Sequence, residues 1–296
     1  MILNNIVLAD NSIQNNMSQN FPITDEHMHI DPRAKGLKAV KEFQDAGGTH
    51  IFLVMKPSWT LGIKVTRPED HIAVFEETVD ISRQINETGV TSFPVLGVHP
   101  AEITKLTGYM ELSKAVETMK GGLDIAADYV KRGLAVGLKS GRPHYPVSQE
   151  IWDASNEVME YAFTLAADLD CAVQLHTESV GEPQLVDITE RAAKTGIKLH
   201  RVVKHYAPPL VDVCERLGIF PGVLAGKGAI EEALQQGTRF MMETDYIDDP
   251  ERPGAVLGPK TIPKRTLKLA EEFGEEPFWK VHKENPEKVY DVDIEL

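Results

Sequence analysis

The strongest constraint on the fold is a pattern that recurs along most of the chain. A short apolar run is followed by a polar loop and then by a stretch with helical spacing. Eight runs read as strands, over 23–30, 50–55, 91–98, 134–139, 172–176, 201–205, 219–224 and 239–245. They are short and mostly rich in β-branched residues, as buried parallel strands are. Pro94 lies inside the third and is expected to shorten or bend it. The stretches between read as helices over 35–45, 68–87, 123–131, 148–168, 183–194, 210–217, 229–236 and 263–273. The clearest places Ile151, Ala154, Val158, Ala162, Leu165 and Leu169 three to four residues apart after a capping Ser148. Gly89, Gly133, Gly196, Gly218 and Gly237 each follow such a stretch, where a left-handed cap residue sits. Eight strands alternating with eight helices predict an α/β chain folded as a single-domain (β/α)8 TIM barrel. The barrel is expected over 21–296, after an N-terminal tail or short strand over 1–20. A doubly wound open sheet would carry a glycine-rich turn after its first strand. Here that strand ends His27-Met28-His29-Ile30-Asp31-Pro32.

Composition narrows the functional classes. With 31 Lys+Arg against 45 Asp+Glu the net charge is -14, which disfavours general nucleic-acid binding and permits the small-molecule substrate expected here. Two cysteines, Cys171 and Cys214, rule out a disulfide scaffold or Cys-rich zinc module and fit a reducing, cytoplasmic setting. The longest uniformly apolar run, Ile51 to Met55, is too short to span a bilayer, so no membrane partner is expected. The oligomeric state is not readable.

Chemistry concentrates at predicted strand ends. Alternation along the first strand puts Asp25, His27 and His29 on one face, where two imidazoles can hold one divalent cation. His176 closes the fifth strand, His205 the sixth and Asp245 the eighth. In a parallel barrel all these ends open on the face that carries the active site. A binuclear centre also needs a bridging anion. In the fourth strand Ala135, Gly137 and Lys139 share the inward face, so Lys139 points to the site from the strand's C-terminal end. A charged amine beside cations would be repelled, whereas an amine that has added carbon dioxide becomes a bridging carbamate. A simple anion anchor, or a salt bridge to Glu178, is the other reading of Lys139. His99, Arg142, His144 and Glu178 are candidate substrate contacts, with Arg252, Lys260, Lys264 and Arg265 as further cations near the rim. Trp59 and the 64–67 region lie in a loop long enough to act as a lid.

These residues resemble the amidohydrolase superfamily and, within it, the TatD-like metal-dependent hydrolases. The resemblance covers most of the chain after Pro22. It rests on Asp25-Glu26-His27-Met28-His29, Gly97-Val98-His99-Pro100, Ala135-Val136-Gly137, His176, His205 and Glu243-Thr244-Asp245, with a closing Asn285-Pro286-Glu287-Lys288-Val289-Tyr290. It implies a (β/α)8 barrel with one or two divalent metals at its mouth. It further implies His27 and His29 as ligands of one metal, His176 and His205 of the other, and Asp245 as ligand and proton acceptor. Two positions depart from the TatD pattern. Leu138 stands where TatD-like proteins place a bridging Glu, while Lys139 looks like the bridging lysine of phosphotriesterase-type and dihydroorotase-type members. Ala101 stands where a His would follow His99-Pro100. The expected activity is hydrolysis of a small phosphoester, lactone or amide by a metal-activated water. A TatD-like deoxyribonuclease and a catalytically inactive metal-binding scaffold are the alternatives. Imidazole and carboxylate ligands suit zinc, the default, as well as manganese, iron, nickel or cobalt.

Overall fold

A computed structural model describes residues 20–252 and 255–296, so most of the predicted tail over 1–20 lies outside the described residues. The strands are β1 Thr24–His29, β2 His50–Val54, β3 Thr91–Gly97, β4 Gly137–Gly141, β5 Ala172–His176, β6 Val202–Ala207, β7 Phe220–Leu224, β8 Met241–Glu243 and β9 Tyr246–Ile247. They form one sheet in the order β8-β7-β6-β5-β4-β3-β2-β1-β9, and every pairing is parallel. Asp25 on β1 accepts the Thr244 backbone N–H at 3.1 Å and its hydroxyl at 2.5 Å, which ties the first strand to the end of β8. The result is the predicted (β/α)8 TIM-barrel-like fold, not an open doubly wound sheet.

Helices alternate with the strands: α1 Leu37–Asp45, α2 Ile72–Asn86, α3 Glu102–Leu106, α4 Leu112–Lys131, α5 Gln149–Leu169, α6 Glu182–Thr195, α7 Val211–Leu217, α8 Ala229–Gln236 and α9 Thr261–Phe273. Ser148 caps α5 as predicted, its hydroxyl accepting from Ile151 N at 3.3 Å. Among the described residues no helix is long and apolar enough to cross a membrane.

The strands bury apolar side chains on both faces, as the sequence pattern required. Leu138, Val173, Leu175 and Val202 pack outward under the helices. Phe52, Val95, Ala172, Val203 and Phe220 cluster with Tyr290 from the closing helix Asn285–Tyr290. Each of the Val, Leu and Phe side chains among these contributes roughly 1.5–3 kcal/mol of burial free energy.

Three expectations need correction. The helix predicted over 123–131 begins at Leu112, because Gly121-Gly122 is a contact surface and not a break. A Cβ on Gly121 would meet Pro68 at 2.5 Å, and one on Gly122 would meet His71 Nδ1 at 2.8 Å. The fourth strand starts at Gly137, where pairing with Val95 begins, and not at 134. The third strand runs on through Pro94, whose carbonyl accepts from Val136 N at 2.9 Å.

Candidate metal centre

His27, His29, Lys139, His176, His205 and Asp245 come from five strand ends and line one cavity of about 830 Å3 at the mouth of the barrel. His99, His144 and Trp59 line it as well. Two groups lie close enough to share an ion: His27, His205 and Glu243, and His27, His29 and Asp245. His27 Nε2 and His29 Nε2 lie 3.2 Å apart. Oδ1 of Asp245 lies 3.8 Å from the first and 3.7 Å from the second. Three buried lone-pair donors at such mutual distances fit a single divalent ion held at about 2.0–2.1 Å from each nitrogen. The Lys139 amine is 3.4 Å from the same His27 Nε2 and only 1% exposed.

Two of the ligand-type imidazoles, His29 and His205, are held from behind. His29 Nδ1 donates to the Val54 carbonyl at 2.9 Å. His205 Nδ1 lies 2.9 Å from Glu243 Oε1, which also accepts the Tyr206 backbone N–H at 2.8 Å. Tyr206, whose N–H turns inward, is at φ 55°, and Asp245, two residues beyond β8, is at φ 45°. Both lie in the left-handed region that non-glycine residues seldom adopt, and such strain gathers at functional sites. The His205 ring stacks on His27 with centroids 3.7 Å apart.

Burial sets the protonation states. It holds His27 and His205 well below the usual imidazole range and brings His29 down to about 3, so these rings are neutral donors of lone pairs. Burial also raises Asp245 to about 7 and lowers the Lys139 amine to about 7. A bound cation would draw the carboxylate back toward ionisation.

Strand alternation fails in β1. The β1–β2 register is irregular between Asp25 and Met28, so Asp25 does not share the cavity face with His27 and His29. Asp25 turns to Thr244, and Glu26 enters the barrel interior beneath the cavity. There Gln174 Nε2 donates to Glu26 Oε1 at 2.7 Å, and the Tyr290 hydroxyl donates to the same oxygen. Oε2 of Glu26, Oε2 of Glu243 and Nδ1 of His27 are buried without a hydrogen-bond partner. A Cβ on residue 222 would come within 2.5 Å of Glu243 Oε2 and 2.6 Å of Glu26 Oε2, so glycine leaves the room these carboxyls fill. Sequence reasoning gave no role to Glu26, Gln174 or Tyr290. The one available signal was the placement of Glu26 beside His27.

The predicted substrate contacts divide. His99 and His144 reach the cavity. Arg142 and Glu178 are not in its lining; they pair with each other, Nη2 to Oε1 at 2.6 Å and Nε to Oε2 at 2.9 Å. That pairing leaves Lys139 without the Glu178 salt bridge considered from sequence. Of the rim cations Arg252 lines the cavity, whereas Arg265 donates to the carbonyls of Ala225 and Gly226.

Comparison with known proteins agrees with this geometry. The family described as TatD related DNase matches residues 24–291. An uncharacterized protein of Methanocaldococcus jannaschii, MJ1127, is 39% identical over 284 residues, which cover 94% of this chain and 99% of that protein. Solved structures of similar fold include an organophosphorus hydrolase variant from Deinococcus radiodurans, with TM-score 0.58, 13% identity, and 92% of this chain and 93% of that chain covered. A phosphotriesterase homology protein from Escherichia coli, complexed with phosphate, gives TM-score 0.57 at 14% identity, with 91% and 98% covered. At such identities the two structures speak to the fold alone. The family match spans nearly all of the barrel, and this chain therefore belongs to the TatD-related DNase family of metal-dependent hydrolases.

Proposed function

We propose that the chain hydrolyses a small phosphoester, lactone or amide at a binuclear divalent-metal centre, with zinc as the default ion. The observation that carries this reading is the convergence of His27 Nε2, His29 Nε2 and Asp245 Oδ1 within 3.8 Å of one another, with the Lys139 amine beside them. His27, His29 and Asp245 would hold one ion, and His176 and His205 the other. Such ions supply Lewis acidity and lower the pKa of a bound water to near neutral. Asp245 takes the proton of the attacking water at its carboxylate and returns it to the leaving group. Glu243 fixes the His205 ring through Nδ1, and Val54 does the same for His29, so neither ring reorients during turnover. The Lys139 amine, buried beside His27, would supply the anionic charge such a centre needs if it added carbon dioxide with loss of a proton to become a carbamate. His99 and His144 meet the substrate or the loop that covers it.

The cavity volume of about 830 Å3 is the size of a small-molecule site. Its lining balances Asp31, Asp249 and Glu251 against Arg33, Lys56 and Arg252, while the whole chain has net charge -14. That net charge opposes general binding of a DNA backbone. A deoxyribonuclease is the second reading, favoured by the family match itself. A silent metal-binding scaffold is not what membership in a hydrolase family favours.

The test pairs metal analysis of the purified protein with hydrolysis assays on phosphoester, lactone, amide and single-stranded DNA substrates. Two metal equivalents per chain, and small-molecule hydrolysis insensitive to salt, are expected. DNA cleavage that falls steeply with salt would replace this reading with the nuclease. Carbon-13 NMR of protein prepared in labelled bicarbonate should show a carbamate resonance that Lys139→Met abolishes, together with one metal equivalent.

A further inference from the structure

We propose that His144 is a positioning residue for His176: it accepts the Nε2–H of His176, leaving Nδ1 as that ring's metal-binding nitrogen. The inference rests on the reading of His176 as a metal ligand. His144 Nδ1 lies 2.8 Å from His176 Nε2, so a proton is shared between these two atoms. A neutral imidazole carries one proton and one lone pair. If His144 were the donor, His176 Nε2 would spend its lone pair on that bond and Nδ1 would carry the proton, leaving no nitrogen for a metal. Only the opposite direction keeps His176 competent. His176 is thereby the inverse of His29 and His205, which give up Nδ1 to Val54 and Glu243 and keep Nε2.

The loop after β4 holds His144 in place. Arg142 N donates to the His176 carbonyl at 2.9 Å, docking the loop backbone on the strand it serves. Gly141 sits at φ 140°, and a Cβ there would run into the His176 carbonyl, so this close approach requires glycine. The Arg142 guanidinium reaches Glu178, Asn156 and Asp187 at 2.5–3.0 Å. On the other side of His144, the hydroxyl of Tyr145 bonds Thr104 Oγ1 at 2.6 Å. His144 itself is exposed, so replacing it removes no buried packing.

The test uses the full chain as wild type, His144→Ala and His144→Asn. Histidine nitrogen-15 NMR of the metal-free protein reads the His176 tautomer, and competition titration with zinc reads affinity. The wild type is expected to carry the His176 proton on Nε2. His144→Ala should mix the tautomers and weaken the second zinc equivalent about 10–100-fold, as loss of such a partner does. His144→Asn, whose Oδ1 replaces Nδ1 as acceptor, should restore both. A wild-type proton on Nδ1, an indifferent Ala variant or an Asn variant no better than Ala would each overturn the proposal. No zinc binding by the wild type would instead remove the metal reading of the site, and this inference with it.

Discussion

Glu243 Oε1 stands 2.9 Å from His205 Nδ1, inside the barrel and fully buried. The Glu243 carboxyl oxygen sets which nitrogen of His205 faces the cavity. Glu243→Ala should therefore weaken divalent-metal binding about 10–100-fold. Glu243→Gln, which keeps an acceptor oxygen, should lose less. Titration of metal-depleted protein against a chelator checks both, and equal losses in the two variants would argue for a packing effect alone.

In the proposed mechanism Asp245 takes the proton of the attacking water. Asp245→Asn keeps an oxygen of the same shape but cannot accept that proton. Turnover should fall about 10²–10⁴-fold. Metal content per chain should stay near the wild-type value, as measured by elemental analysis on the same preparation. Unchanged turnover would remove the role.

Arg142 is 1% exposed, and its guanidinium is enclosed by Glu178, Asp187 and Asn156 with Trp152 beneath it at 4.5 Å. Arg142→Met breaks this buried pairing, a class of change that costs about 3–5 kcal/mol. The side chain of Asp187 is 41% exposed and that of Glu178 22%, so water takes over part of the lost partner's work. The expected loss of unfolding free energy is thus nearer about 2–3 kcal/mol. Denaturant titration reads it, and a loss under half of that would mean the clamp is dispensable.

Glu102, at the start of α3, accepts the Ser58 hydroxyl at 2.6 Å and is 3% exposed. Burial raises its carboxyl from 4.5 to about 7. The folded state thus prefers the protonated form. Its contribution is fully present below about pH 4.5 and is lost as pH rises through about 7. Glu102→Gln mimics the neutral acid and should be the more stable protein at pH 8, by on the order of 2 kcal/mol. At pH 4 the two should converge. Thermal unfolding across this range is the measurement, and a constant offset between the variants would contradict the assignment.

The division between sequence and structure follows the range of the interactions. Alternation with period two is local, so Lys139 could be assigned to the inner face of its strand from Ala135 and Gly137 alone. Clusters of His and carboxylate at predicted strand ends were legible for the same reason, since parallel strands share one polarity. The same rule misplaced Asp25 and missed Glu26, because the irregularity in β1 arises from its pairing with β2. The helix expected over 123–131 runs from Leu112, with Gly121 and Gly122 in its interior packed against Pro68 and His71. Arg142 and Glu178 looked like substrate contacts because their strand positions are near the mouth. Only the tertiary structure turned the guanidinium toward Asp187 on α6 and Asn156 on α5, away from the cavity. The sequence by itself determined the repeating βα units and the residues that could donate to a metal. Which of them meet, and through which nitrogen, is decided by long-range closure of the sheet, where strands far apart in the chain set each other's register.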